Sequence, residues 1–182
     1  MKKSKKKLSA SQIIRKRRQA IETKKEYMSI LLKAVLIVTI LFLVFTKLFI
    51  IIQVNGNTMF PAIKDGDLIL AYRLQTDYSK NDVVVYDSDE GQKTGRIMAL
   101  ENDVVTIDDS GLLTVNGTVQ EGEILFATYP GEALEYPYRV PEGCCFILSD
   151  NRSTMDDSRQ SGAVPMSSVK GKVISVLRRR GI

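Results

Sequence analysis

The chain has 182 residues, enough for one ordinary domain and an anchor, and its net charge of +5 is unevenly spread. Residues 1–27 hold eleven Lys or Arg against Glu22 and Glu26, whereas residues 53–182 hold thirteen basic and nineteen acidic side chains, so the part that folds is acidic and no nucleic acid is expected as its partner. There is no histidine, which excludes a Ser-His-Asp triad, a Cys-His dyad and the common zinc sites; no metal or cofactor is expected.

Residues 1–27 read as a basic tail, with KKSKKK and RKRR inside the first 18 residues and Lys24 and Lys25 beside an apolar run. Residues 28–53 read as a transmembrane signal anchor. Ala34–Thr46 carries no charge, and the count from Ser29 to Ile52 reaches the ~20 residues a span needs when Lys33 and Lys47 extend their stems to the interface. No Ala-x-Ala site follows, so the segment is expected to stay uncleaved. The positive-inside rule then puts the N-terminus in the cytoplasm and residues 54–182 outside the cell membrane, with the tail attracted to anionic lipid.

From residue 54 onward the pattern changes to short, β-branched runs with period-2 character, and the expected fold is mainly β, an antiparallel sheet. The expected strands are Asp67–Arg73, Asp82–Tyr86, Arg96–Leu100, Val104–Asp108, Leu112–Val115, Thr118–Val119, Tyr138–Val140, Cys145–Leu148 and Gly171–Leu177. Asn116-Gly117 is a strong hairpin signal, because both turn positions favour positive φ. Lys64-Asp65-Gly66-Asp67 and Pro141-Glu142-Gly143 mark further turns. Cys144 and Cys145 are adjacent, which leaves no long-range disulfide; they read as small apolar side chains on opposite faces of a strand. Arg178-Arg179-Arg180 reads as a solvated charge run.

Several ordered motifs carry a resemblance. An anchor followed by Gly56-Asn57-Thr58-Met59-Phe60-Pro61, then Lys64-Asp65-Gly66-Asp67, resembles the opening of type I signal peptidases, whose pattern is Gly-x-Ser-Met-x-Pro-Thr. Gly95-Arg96-Ile97-Met98-Ala99-Leu100-Glu101-Asn102-Asp103 resembles the family's Lys-Arg-Val-Ile-Gly-Leu-Pro-Gly-Asp. Ser149-Asp150-Asn151-Arg152, continuing to Asp156-Asp157-Ser158-Arg159, resembles its Gly-Asp-Asn-Arg-x-x-Ser-x-Asp-Ser-Arg box. The resemblance runs from the anchor to about Val176 and implies a signal-peptidase-like β domain outside the membrane.

The departures bear on chemistry. By this resemblance the nucleophilic serine falls on Thr58, the general-base lysine on Gly95, and the serine that positions that lysine on Met155. The family's base is a buried lysine kept neutral by desolvation. Glycine takes no proton, and threonine's extra methyl crowds the attack and restricts χ1. No intact catalytic set is expected. One rescue is open: Lys93 lies on the same strand face as Gly95, ~6.5–7 Å away, and can serve as a displaced base if Gly95 leaves room. Otherwise Lys93 belongs to a solvated turn. Asp157 and Arg159 are expected to form a structural ion pair, and Asp150, Asn151 and Arg152 to organise a turn. The resemblance implies a cleft for an extended segment at Asn57, Met59, Pro61, Val83 and Val85, with Met59, Phe60 and Pro61 read either as core or as a membrane-facing lip.

Two functions follow from the resemblance. The first is a non-catalytic signal-peptidase-like protein, similar to the degenerate pilus-assembly factors of Gram-positive bacteria. Its partners would be membrane lipid, a segment of an exported protein or pilin, and a sortase. The second is an active signal peptidase using Thr58 and Lys93. An unrelated anchored binding domain is the third reading, and it requires the ordered motifs to be coincidental.

Overall fold

The computed structural model describes residues 10–120 and 125–178, so the KKSKKK run and the last two arginines of the terminal run lie outside the described residues. The chain divides into two compact units, Met1–Thr46 and Lys47–Ile182. Helix α1 spans Ala10–Leu48, and its stretch Ile21–Leu48 is long and apolar enough to cross a membrane, with a mean hydropathy of 2.7. Within it the Thr39 hydroxyl donates to Val35 O at 2.8 Å and the Thr46 hydroxyl to Leu43 O at 2.9 Å. Both hydroxyls are thus satisfied inside the helix, as a lipid environment demands.

The second unit is built from β1 (Phe49–Gln53), β2 (Leu68–Tyr72), β3 (Val83–Ser88), β4 (Gly91–Ala99), β5 (Val104–Ile107), β6 (Leu113–Val115), β7 (Thr118–Val119), β8 (Tyr138–Arg139), β9 (Cys144–Leu148), β10 (Val164–Pro165) and β11 (Val169–Leu177). The pairing is antiparallel throughout. One sheet runs β1-β2-β11-β3-β4-β9-β10 and the other β7-β6-β5-β8. The strand β1 corrects the expected anchor boundary at 53. FIIIQ is aromatic and β-branched, and it pairs with β2 from Phe49↔Tyr72 to Gln53↔Leu68. The Phe49 and Tyr72 rings lie 5.8 Å apart. Apolarity alone does not separate the end of a helical span from a strand.

The strand β3 explains why the large sheet holds. Its VVVY run is buried on both faces, with Val84 and Tyr86 packing beside Ile97, Cys145 and Ile147, and Val85 packing beside Met59, Ile63 and Ala71. A strand covered on both sides reads as a continuous apolar run. The same two-sidedness separates the cysteines: Cys144 packs beside Phe146 and Leu148, and Cys145 beside Ile147. Each fully buried side chain of this kind contributes about 1.5–3 kcal/mol relative to exposure. The hairpin turn between β6 and β7 adopts the expected backbone, φ 52° at Asn116 and 77° at Gly117.

Asp103 ties this hairpin to the large sheet. It accepts from Leu100 N at 2.8 Å and from the Asn116 amide at 2.6 Å, and it pairs with Lys80 at 3.0 Å. Burial pushes the Asp103 carboxyl up, but these hydrogen bonds outweigh it and hold it below the usual aspartate value. A carboxylate depressed on folding stabilises above its unfolded value and loses that contribution as pH falls through the folded value. Asp103→Asn is therefore expected to lower stability by about 1 kcal/mol at pH 7. Urea titrations should show that gap closing below about pH 4.

Candidate functional site

Thr58 sits in the tight turn that follows β1. Phe60 N donates to Asn57 O at 3.2 Å and Ile63 N to Met59 O at 2.8 Å, which rolls the chain back after Gly56 at φ 89°. Asn151 fixes the turn from the other side of the site: its backbone N donates to Thr58 O at 2.9 Å and its side-chain amide to Asn57 O at 3.2 Å. Thr58 opens onto a cavity of about 200 Å³, bounded by residues 52–55 on one side and residues 92–94 on the other, with Val85 and Asp156 completing the wall. The strand β4 pairs with β3 from Gly91 to Arg96 but meets β9 only from Arg96 onward. Its first residues therefore face the cavity with one edge unpaired in the sheet.

Gly95 lies in this strand opposite Val84. The room expected beside it is absent: a Cβ built at Gly95 would meet Ile147 Cγ2 at 2.3 Å, with Leu148 O and Tyr86 Cε1 at 3.4 Å. Ile147 is fully buried, and its Cγ2 is fixed directly on a β-branched Cβ, so it has little freedom to withdraw. The space a base lysine would use is packed with isoleucine and tyrosine.

Lys93 lines the Thr58 cavity, as the rescue requires, and lies within β4, not in a free solvated turn. Its ammonium donates to Glu90 Oε2 at 2.8 Å and to Asp156 Oδ1. Burial pulls its pKa down, but the hydrogen bonds to Asp156 and Glu90 outweigh this and hold it above the ordinary lysine value. A general base must be neutral to take a proton, so this environment opposes that role. Tyr86 offers no substitute, since burial pushes its phenol up to about 12.

Met155 does not fill the Thr58 cavity. It is 36% exposed and lines two other grooves. The expected Asp157–Arg159 pair is present and more deeply placed than a turn requires. Arg159 is 0% exposed, with Nε 2.9 Å from Asp157 Oδ1 and Nη2 2.8 Å from Oδ2. Its remaining N–H groups reach Tyr129 O, Arg152 O and Thr154 O. Asp157 also caps the short helix α2 (Ser158–Ser161) through Arg159 N and accepts from Ser149 N at 3.1 Å. Asp150 is claimed by Arg96, with both oxygens bonded at 2.7 and 2.6 Å. Arg152 is buried against the Thr128 hydroxyl and Met98 Sδ, and burial lowers it to about 10. Asp150 and Arg152 thus brace the floor, and Asn151 alone of the three organises the Thr58 turn.

Among the expected cleft residues Val85 lines the cavity, and Asn57 does not: its carbonyl accepts from the Asn151 amide. Met59 corrects the lip reading: it is 0% exposed and belongs to the core with Ile63 and Ile69. Pro61 and Val83 are half-buried outside the cavity wall. Sequence reasoning missed the run Ile52–Asn55 and also Gln92, Thr94 and Asp156. Gln92 and Thr94 share β4 with Gly95, and Asp156 adjoins Asp157, which is the signal that could have found them.

A model of the family described as signal peptidase, peptidase S26, matches residues 25–177. The chain belongs to the signal peptidase S26 family. It is 27% identical to signal peptidase I of Bacillus caldolyticus over 66% of this chain and 74% of that protein. It is 29% identical to signal peptidase I U of Bacillus subtilis over 87% of this chain and 88% of that protein. The probable thylakoidal processing peptidase 2 of Arabidopsis thaliana is 29% identical over 67% of this chain, which spans only 36% of that longer relative. A crystal structure of signal peptidase I from Enterococcus faecalis, 25% identical, aligns with a TM-score of 0.46 over 55% of this chain and 98% of that one. The chain is an antiparallel β-rich member of this family.

Proposed function

We propose that this signal-peptidase-like protein binds an extended segment of an exported protein without cutting it. It would do so from an anchor whose N-terminus is cytoplasmic and whose β unit lies outside the membrane. The observation that carries this reading is the free edge of β4 at residues 92–94, which faces residues 52–55 across the Thr58 cavity. An extended segment laid between these two runs adds a strand to the sheet, and backbone hydrogen bonding of that kind needs no nucleophile. The filled space at Gly95 and the charged state of Lys93 support binding over cleavage. The resemblance to degenerate pilus-assembly factors extends the reading to a pilin segment as occupant and a sortase as neighbour.

The test is a labelled preprotein bound to the full chain in detergent. Binding is expected with no signal-peptide fragment released, and Thr94→Pro, which removes a β4 backbone donor, is expected to weaken binding by about ten-fold. Preprotein that fails to bind at all would sink the reading. A second reading, an active peptidase, is favoured by one observation: Thr58 keeps a hydroxyl and shares its cavity with Lys93. That reading requires cleavage that disappears in Lys93→Ala.

A further inference from the structure

Beyond Lys93 lies a second, larger hollow. A groove of about 610 Å³ runs between the β3–β4 hairpin and the segment that carries Met155 and α2. Asp87, Asp89 and Glu90 line one side, and Met155, Gln160 and Val164 stand among the residues opposite. This groove and the Thr58 cavity share two lining residues, Lys93 and Asp156. Those two are bonded to each other, Lys93 on β4 reaching Asp156 on the facing segment, with Glu90 as the second partner of the same ammonium. The Lys93–Asp156 ion pair therefore lies where the two hollows adjoin. The side chains of Lys93 and Asp156 are 22% and 48% exposed, so the bridge is only partly shielded from water. Bridges at such exposure hold weakly.

Separating this pair joins the cavity beside Thr58 to the groove. It also strips both carboxylates of their cation, on a wall where, among the described residues, Asp87 keeps Lys170 at 2.8 Å and Asp157 keeps Arg159 at 2.8 Å. The opener that disturbs the electrostatics least is one that brings a positive charge to Asp156 and Glu90 as Lys93 leaves. We propose that the Lys93–Asp156 bridge is a gate between the Thr58 cavity and the groove, opened by an extended polypeptide segment carrying a lysine or arginine that takes over the carboxylates. This inference rests on the strand-binding reading above and names the chemistry of the segment that binds. It also gives Lys93 a role other than proton transfer, in keeping with an ammonium held charged by its two partners.

The experiment measures fluorescence anisotropy of two labelled alternating alanine–valine decapeptides on the full chain in detergent, one with a central lysine and one with norleucine there. The wild-type chain is expected to prefer the lysine peptide by about five-fold, the upper range for a pair of this exposure. Lys93→Met frees the carboxylates and is expected to tighten the lysine peptide by a further five-fold or so. Lys93→Arg keeps the bridge and is expected to match the wild type, which separates gating from loss of fold. Glu90→Gln with Asp156→Asn is expected to bring the preference to about one. Equal binding of both peptides to the wild type, or a preference that Lys93→Met leaves unmoved, overturns the gate while strand binding stands. Failure of both peptides to bind any variant removes the strand-binding reading and the gate with it.

Discussion

Gly95→Lys, introduced alone, is expected to destabilise the β unit by about 3 kcal/mol and to yield no peptidase. The reason lies in the packing. A Cβ at this position stands 2.3 Å from Ile147 Cγ2, and Ile147 is fully buried on the neighbouring strand β9. Overpacking of this kind moves backbone, because neither side chain is a flexible one that can turn aside. Adding Ile147→Ala removes the obstructing methyl, and thermal or urea unfolding is expected to recover most of the loss. Thr58→Ser and Met155→Ser then complete the four-residue reversion. Weak cleavage by that variant, set against none by Gly95→Lys alone, would mean that the cleft outlived its chemistry. The single lysine unfolding no more readily than the wild type would contradict the packing argument.

Arg159→Ala is expected to cost about 3–5 kcal/mol, the range for breaking a buried ion pair from one side. Arg159 is 0% exposed, and its guanidinium meets both oxygens of Asp157 and three backbone carbonyls. Its removal leaves a buried carboxylate and several acceptors without donors. Asp157→Ala strands the cation instead and also loses the α2 cap and the bond from Ser149 N. The double variant Asp157→Ala/Arg159→Ala is expected to be less destabilised than the sum of its parts, since neither charge is then left alone. Denaturant titration of the four proteins gives the coupling directly. Strict additivity would mean that the pair does not act as a unit.

Most of the strand pattern was legible because half-buried strands write their faces into alternating residues. Leu113-Thr114-Val115 and Cys144–Leu148 fall where the sequence puts them, and the Asn116-Gly117 turn has the positive φ its residues favour. β1 was not legible, because Phe49–Gln53 continues an apolar run already long enough to span, and hydropathy carries no sign of the pairing partners Leu68–Tyr72. β10 is two residues long and held by its contact with β9, which leaves no local pattern.

Motif order singled out Thr58, Gly95 and Asp157, and what surrounds them needed three dimensions. The sequence shows that Gly95 lacks a side chain, yet only the packing shows that Ile147 has taken the space. Lys93 reads as a solvated lysine until Asp156, 63 positions away, is brought against it. Met59 reads as lip or core with the lip favoured, and the structure packs it in the core with Ile63 and Ile69.

The measurement that bears most directly on binding without cleavage is mass spectrometry of a preprotein incubated for hours with the natural full chain, beside an active signal peptidase I as control. The account predicts an intact preprotein recovered in complex with the chain. Release of the signal peptide by the natural chain, abolished in Lys93→Ala, would contradict it and make Thr58 and Lys93 a working pair.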